Sequence, residues 1–246
     1  MKNLPAIFLL LLLSVGCTKK LVFEDKTYLK KTTIPCPEQC PQIKMVIPIA
    51  SKGQAADSIN SKVFATISEI IDFGEKPSKA KTYDELLSSF IGAYEKMQRE
   101  APDEVFGFEG DVAGRVVFQS ERVLNIEIKH YTFTGGAHGY SGFRSLLFDP
   151  ATGKSIAIAS LFNDPTAFKK FAEQQFREKF DVPAGTPINS KGLMFENEKF
   201  QLPQNIFFTT QGIVLYYNAY EIASYAEGAK ELLLPYEKVD RFLKIK

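Results

Sequence analysis

The 246-residue chain is predicted to adopt an α+β fold, with mainly antiparallel sheets, packed helices and two abutting subdomains. Three observations carry that expectation. Stretches with a two-residue hydrophobic alternation occur in blocks along the whole chain. Three separate stretches instead repeat their apolar residues at helical spacing, and two of these open on recognisable caps. Turn signals join many of the alternating stretches over a few residues, as antiparallel neighbours require.

Taken in order, Leu21 to Thr33 alternate loosely and read as a strand. Ile43 to Ile49 read as another, and Pro48 pushes it towards a sheet edge because proline cannot donate to a ladder. Ile59, Val63, Phe64, Ile67, Ile70 and Ile71 then recur at helical spacing, giving a helix over 55–72 that ends at Gly74. Thr82 followed by Glu85 is a capping-box pattern, and Leu86, Leu87, Phe90, Ile91, Tyr94 and Met97 mark the helix behind it. Residues 105–133 read as strand. In it Leu124, Ile126 and Ile128 share one face with His130, while Asn125, Glu127, Lys129 and Tyr131 share the polar one. Residues 143–149 and 154–159 flank the turn Asp149–Gly153 and read as a hairpin. Asp164 then caps, and Pro165 starts, a helix with the stripe Phe168, Phe171, Ala172, Phe176 and Phe180. Residues 181–205 are rich in Pro, Gly and Asn and read as a long loop. A hairpin follows over 207–217, then a strand over 231–235 and a short closing helix over 237–244.

The first residues differ from the rest. Lys2 is followed by an apolar run from Ala6 to Leu13, then Ser14, Val15 and Gly16 before Cys17. This is the layout of a secretory signal peptide, far short of the ~20 apolar residues a membrane span needs. A cysteine directly after small residues resembles the lipobox of bacterial lipoproteins, with Ser14 standing where leucine is more usual. The expectation is a signal peptide over 1–16, lipidation at Cys17, a tether over 17–21 and a mature protein held on the extracytoplasmic side of a membrane. Loss of residues 1–16 removes only Lys2 from 30 basic residues, leaving 29 against 29 acidic ones. A neutral balance with no concentrated basic face excludes nucleic acid as the main partner.

Cys36 and Cys40 are the remaining cysteines, in IPCPEQCPQ. Outside the cytosol they are expected to pair, as a local staple worth ~2 kcal/mol or less. The rival reading is half of a metal site, which cysteine alone cannot complete here.

Both histidines, His130 and His138, flank the run YTFTGGAHGYSG at 131–142. Gly139-Tyr140-Ser141-Gly142 looks like part of a nucleophile elbow, but Phe143 stands where the second glycine is needed. The two histidines match no zinc motif. His130 is expected as a buried imidazole bonded to backbone, and His138 as part of glycine turn chemistry. No phosphate-cradling loop exists, and Glu221 is the one acid in a run rich in tyrosine. No catalytic residue, metal or cofactor is therefore assigned. The candidate binding residues are Tyr131, His138, Tyr140, Tyr220, Glu221 and Tyr225, since tyrosine pairs large contact area with a polar tip.

Two stretches together resemble the extracytoplasmic region of the RsiV-like family, which pairs a domain first named in PdaC-type peptidoglycan deacetylases with a second domain. The landmarks are Gly135–Gly139, Leu161-Phe162, Tyr220–Gly228 and Leu234-Pro235-Tyr236. The resemblance covers roughly residues 22–243. It implies a PdaC-like domain over 22–150 and an RsiV-like domain over 151–246, meeting near the Asp149–Gly153 turn. It also implies binding rather than catalysis. In the anti-sigma member this region binds lysozyme and then becomes a protease substrate. Signalling members add a cytoplasmic segment and a membrane span, and deacetylase members add a catalytic domain; neither addition is expected here. The resulting expectation is a lipid-anchored binding or sensing module whose partner is a lysozyme-like protein or a cell-wall glycan. The rival expectations are an envelope hydrolase acting on a wall polymer and a purely structural envelope lipoprotein.

Overall fold

The computed structural model describes residues 21–36, 40–72, 78–102, 104 and 107–245. The signal-peptide and Cys17 expectations, and Gly74, lie outside them.

The chain is α+β, with a five-stranded mixed sheet and a three-stranded antiparallel sheet. Strands β1 (Val22–Lys31), β2 (Gln42–Lys52), β3 (Glu109–Gln119), β4 (Leu124–Phe133) and β5 (Tyr140–Phe148) form the first sheet in that order. The pairs are antiparallel except β2–β3. Helices α1 (Ala56–Ile71) and α2 (Tyr83–Glu100) supply the crossover that lets β2 and β3 run parallel. Their apolar stripes, including Ile59, Val63, Ile67, Leu86 and Phe90, pack on Ile43, Met45, Ile47, Leu124, Ile126 and Ile128 as one core. Local chemistry sets the start of α2: Thr82 accepts from Glu85 N–H at 3.2 Å. Glu85 reaches back to the N–H of Lys81 at 2.6 Å.

The second core lies around helix α3 (Pro165–Lys179) and strands β6 (Asn205–Phe208), β7 (Gly212–Tyr217) and β8 (Lys230–Pro235), with α4 (Tyr236–Val239) closing it. Asp164 caps α3 by accepting from Thr166 and Ala167 N–H. Phe168 and Phe176 are fully buried, and Val123 of the β3–β4 turn and Leu147 of β5 join the same core.

Several expectations are corrected. Pro48 does not mark an edge, because β2 lies second in the sheet. The β2–β3 ladder ends at Val46, and Gly114 of β3 leaves room for the proline ring, so no hydrogen bond is demanded of it. The single strand over 105–133 is two strands, separated by a turn in which Ser120 Oγ accepts from the N–H groups of Arg122 and Val123. Residues 154–159 form no second hairpin arm; a lone bridge, Phe148 to Ser155, precedes a 3-10 turn at Ile158–Leu161. The stretch 181–205 is irregular but not a solvent loop, since Ile188, Leu193, Phe195 and Phe200 are core residues. The closing helix is a single turn.

Asn125, placed by alternation on the polar face, is fully buried. Its amide donates to Ser145 Oγ at 2.9 Å and to the Leu146 carbonyl at 3.2 Å. Its oxygen accepts from Phe208 N–H of β6 at 2.9 Å. Ser145 in turn donates its hydroxyl to the Ile206 carbonyl at 2.6 Å, while its own N–H goes to Asn205 at 2.9 Å. Asn218 donates to the Phe143 carbonyl and accepts the Phe143 N–H. The outward backbone of β5 and that of β6 are thus satisfied by side chains from the opposite half.

Asn125→Ala is expected to orphan the Phe208 N–H and leave a void, costing about 2–3 kcal/mol. Lys129→Ala, on the exposed part of the same strand, is expected to change stability by less than about 0.5 kcal/mol. Urea midpoints at constant m-value check both.

Candidate functional site

The candidate residues other than Tyr140 gather where the β4–β5 turn meets the loop after β7. Gly135 and Gly136 take φ of +93° and +94°, a region that favours glycine, and let the chain double back after β4. The ring of Tyr131 lies over Gly139, where a Cβ would overlap it. The Gly139 carbonyl is the hub of the turn. Tyr225 Oη donates to it at 3.3 Å, and His138 Nδ1 lies 3.0 Å from it. A carbonyl only accepts, so this contact selects the His138 tautomer protonated on Nδ1 and leaves Nε2 as an acceptor.

The rings themselves form a stack. His138 and Tyr225 have centroids 4.0 Å apart with planes 13° from parallel. Tyr220 lies on Tyr225 at 5.5 Å and 28°. Such offset pairs contribute about 0.5–1.5 kcal/mol beyond area burial. All three side chains are nevertheless exposed; Tyr220 is 54% and Tyr225 40% accessible.

The loop that carries the tyrosines is held firmly. Asn218 is fixed on β5, its own N–H donates to Glu221 at 2.9 Å, and Ile222 and Ala223 are buried beneath. Tyr220 has φ of +69°, a left-handed conformation costing a non-glycine residue about 1–2 kcal/mol. Burial pushes the Glu221 carboxyl up, against the pull of the Asn218 and Gln204 N–H groups and of Arg144. Glu221 therefore acts as a strut within the loop.

Tyr140 and His130 lie on the other face of the sheet, their ring centroids 5.8 Å apart. Burial pushes the Tyr140 hydroxyl up, with Arg144 opposing. His130 is buried, but the expected backbone bond is not made: neither ring nitrogen has a hydrogen-bond partner. Burial, helped by Arg144, lowers its pKa to about 4. The two histidines thus serve different neighbours. Among the described residues, no three His, Cys, Asp or Glu side chains converge in a way that could hold a metal ion. Surface concavities occur along Lys170–Thr186, between α2 and Phe108, and beside Asn163, Phe171 and Phe242.

Cys36 and Cys40 are joined as a disulfide with Cα atoms 5.5 Å apart, in the link between β1 and β2. Arg144, which charges the site from β5, was not singled out by sequence; its place opposite Ile128 on an apolar face gave no local signal.

With these features the chain is a two-part α+β protein, one core under the five-stranded sheet and the other around α3 and the three-stranded sheet. Residues 34–141 match the family model described as "Deacetylase PdaC", and residues 159–237 match "Protein of unknown function (DUF3298)". The chain thus carries a PdaC-type domain followed by a DUF3298-type domain. A crystal structure of a DUF3298 family protein from Pseudomonas aeruginosa PAO1 is 22% identical, with a TM-score of 0.66, over 93% of this chain and 97% of that one. A DUF3298 family member from Bacteroides fragilis NCTC 9343 is 20% identical, with a TM-score of 0.68, over 92% and 94%. No curated protein matches the chain. Among the described residues, no helix is long and apolar enough to cross a membrane.

His130 generates a pH prediction. Its folded pKa of about 4 lies below the unfolded value near 6.5, so its neutral form is the one the fold accepts. Stability is full above pH ~6.5 and falls as pH drops towards 4, by up to about 3 kcal/mol. The raised Glu221 carboxyl acts in the opposite sense, stabilising on protonation. Comparing denaturant midpoints of the wild type and His130→Phe between neutral pH and about pH 4.5 isolates the histidine, and the variant is expected to lose that part of the slope.

Proposed function

We propose that the chain is a lipid-anchored, non-catalytic binding module of the bacterial envelope, whose contact surface is the His138–Tyr225–Tyr220 stack. One observation carries the reading: three rings are stacked and left exposed, the two tyrosines on a loop strained at Tyr220 and rooted on buried Ile222 and Ala223. Backbone strain at an exposed aromatic is a feature that functional surfaces concentrate. The stack offers a flat apolar face, the Nε2 acceptor of His138 and phenolic hydroxyls along one edge. That chemistry suits the C–H face and hydroxyls of a wall-glycan sugar, or the side chains of a lysozyme-like protein. The small-residue run ending at Cys17 supports the anchor. Each buried acyl methylene adds ~0.8 kcal/mol, so two or more chains hold firmly.

Retention of the protein on immobilised peptidoglycan fragments and on immobilised lysozyme tests the surface. The wild type is expected to be held by one of them, and Tyr220→Ala with Tyr225→Ala to weaken that retention at least ~10-fold. Retention unchanged by the double substitution, or absent from both supports, removes the reading. Cys17→Ser is expected to move the protein from the membrane to the soluble fraction.

A further inference from the structure

We propose that β1 is a self-pairing edge, through which two copies of the chain join their five-stranded sheets into one ten-stranded sheet. The sheet has two edges. β5 is closed by Asn205 and Asn218, as described above. β1 pairs with β2 alone, and among the described residues nothing bonds to its outward backbone groups from Phe23 to Lys31.

The outward groups can be named. Thr32 N–H donates to the Pro41 carbonyl across the β1–β2 pair. Alternation of an antiparallel ladder then turns Lys30, Tyr28, Lys26 and Glu24 towards β2. Phe23, Asp25, Thr27, Leu29 and Lys31 therefore present N–H and C=O to the free edge.

A two-fold axis perpendicular to the sheet at Thr27 sets Thr27 against its own copy. Asp25 then opposes Leu29, and Phe23 opposes Lys31. All are outward-facing residues, so this register makes about ten backbone hydrogen bonds. Glu24 falls opposite Lys30 on both sides of the axis, in the closely spaced non-bonded pairs where side chains interact most. Asp25 and Lys31 meet diagonally. The neighbouring registers fail on charge: centring on Lys26 sets it against itself, and centring on Tyr28 sets Lys26 against Lys30. Both acids, Glu24 and Asp25, precede Thr27 while Lys30 and Lys31 follow it, so of these three registers the one centred on Thr27 is self-complementary. Lys30 Nζ already donates to Ser88 Oγ at 3.0 Å, and its two other N–H groups remain for a carboxylate. Leu29, 56% exposed, is an apolar residue the joined sheet would partly cover. Scattered charge on an edge strand is ordinarily protection against pairing; here the order of the charges favours it.

Sedimentation of the full chain carrying Cys17→Ser, so that acyl groups cannot gather the copies, tests the pairing. A reversible dimer is expected. Glu24→Lys and Lys30→Glu should each weaken dimerisation at least ~10-fold, and the double exchange should restore it to within a few-fold. Thr27→Pro removes an N–H that points only outward, so it should abolish the dimer while thermal stability and circular dichroism stay near wild type. A monomer at protein concentrations up to ~100 µM, or a dimer indifferent to Thr27→Pro and to both charge reversals, overturns the proposal.

Discussion

Side-chain amides finish what the strands leave open, and the rest of the structure depends on it. A buried backbone N–H or C=O without a partner costs several hydrogen bonds' worth of net stability once a whole edge is counted. Here β6, the edge of the second sheet, meets β5 and the face of β4 without pairing as a strand. Asn218 behaves towards Phe143 as a strand residue would, giving one donor and taking one. Asn60 does the same for Ala50, and Asn189 for Phe195. Asparagine suits the task because its amide carries both a donor and an acceptor on a short stem. The reciprocal contacts of Asn125, Ser145 and Asn205 then make the join between the halves directional as well as apolar.

That join is also what fixes the exposed ring surface. The loop with Tyr220 and Tyr225 is rooted at Asn218, on β5, and the turn with His138 is the entry to β5. A single strand therefore positions both sides of the stack. The Gly139 carbonyl, reached by Tyr225 from one side and by His138 from the other, closes the arrangement.

Much of this architecture is written locally. The starts of α2 and α3 are legible because Thr82, Glu85 and Asp164 act within three or four residues of themselves. The alternation of Leu124, Ile126 and Ile128 is legible for the same reason, and the α+β class follows from summing such signals. The glycine run and the tyrosine run are legible as compositional oddities. What the sequence hides depends on distance. Asn125 obeys the two-residue period yet is buried, because the period reports which face a residue is on and not what covers that face. Residues 181–205 look like loop because their phenylalanines pack without any repeat. The stacking of His138 on Tyr225 joins residues 87 positions apart in sequence, and no spacing rule reaches that far. His130 is legible as an interior residue from the two-residue period, but whether its ring nitrogens find partners there is nothing that periodicity expresses.

The turn at Gly135 and Gly136 has one further consequence. A Cβ at either position would meet nothing within 4 Å, and neither residue touches a core. The chain is thus free to grow there. Extra residues inserted at this point would rise beside the rings as a wall, leaving the two cores and the amide-sealed seam as they are. The fold carries, next to its most exposed aromatics, the position from which the shape of that surface can be rewritten at the least structural expense.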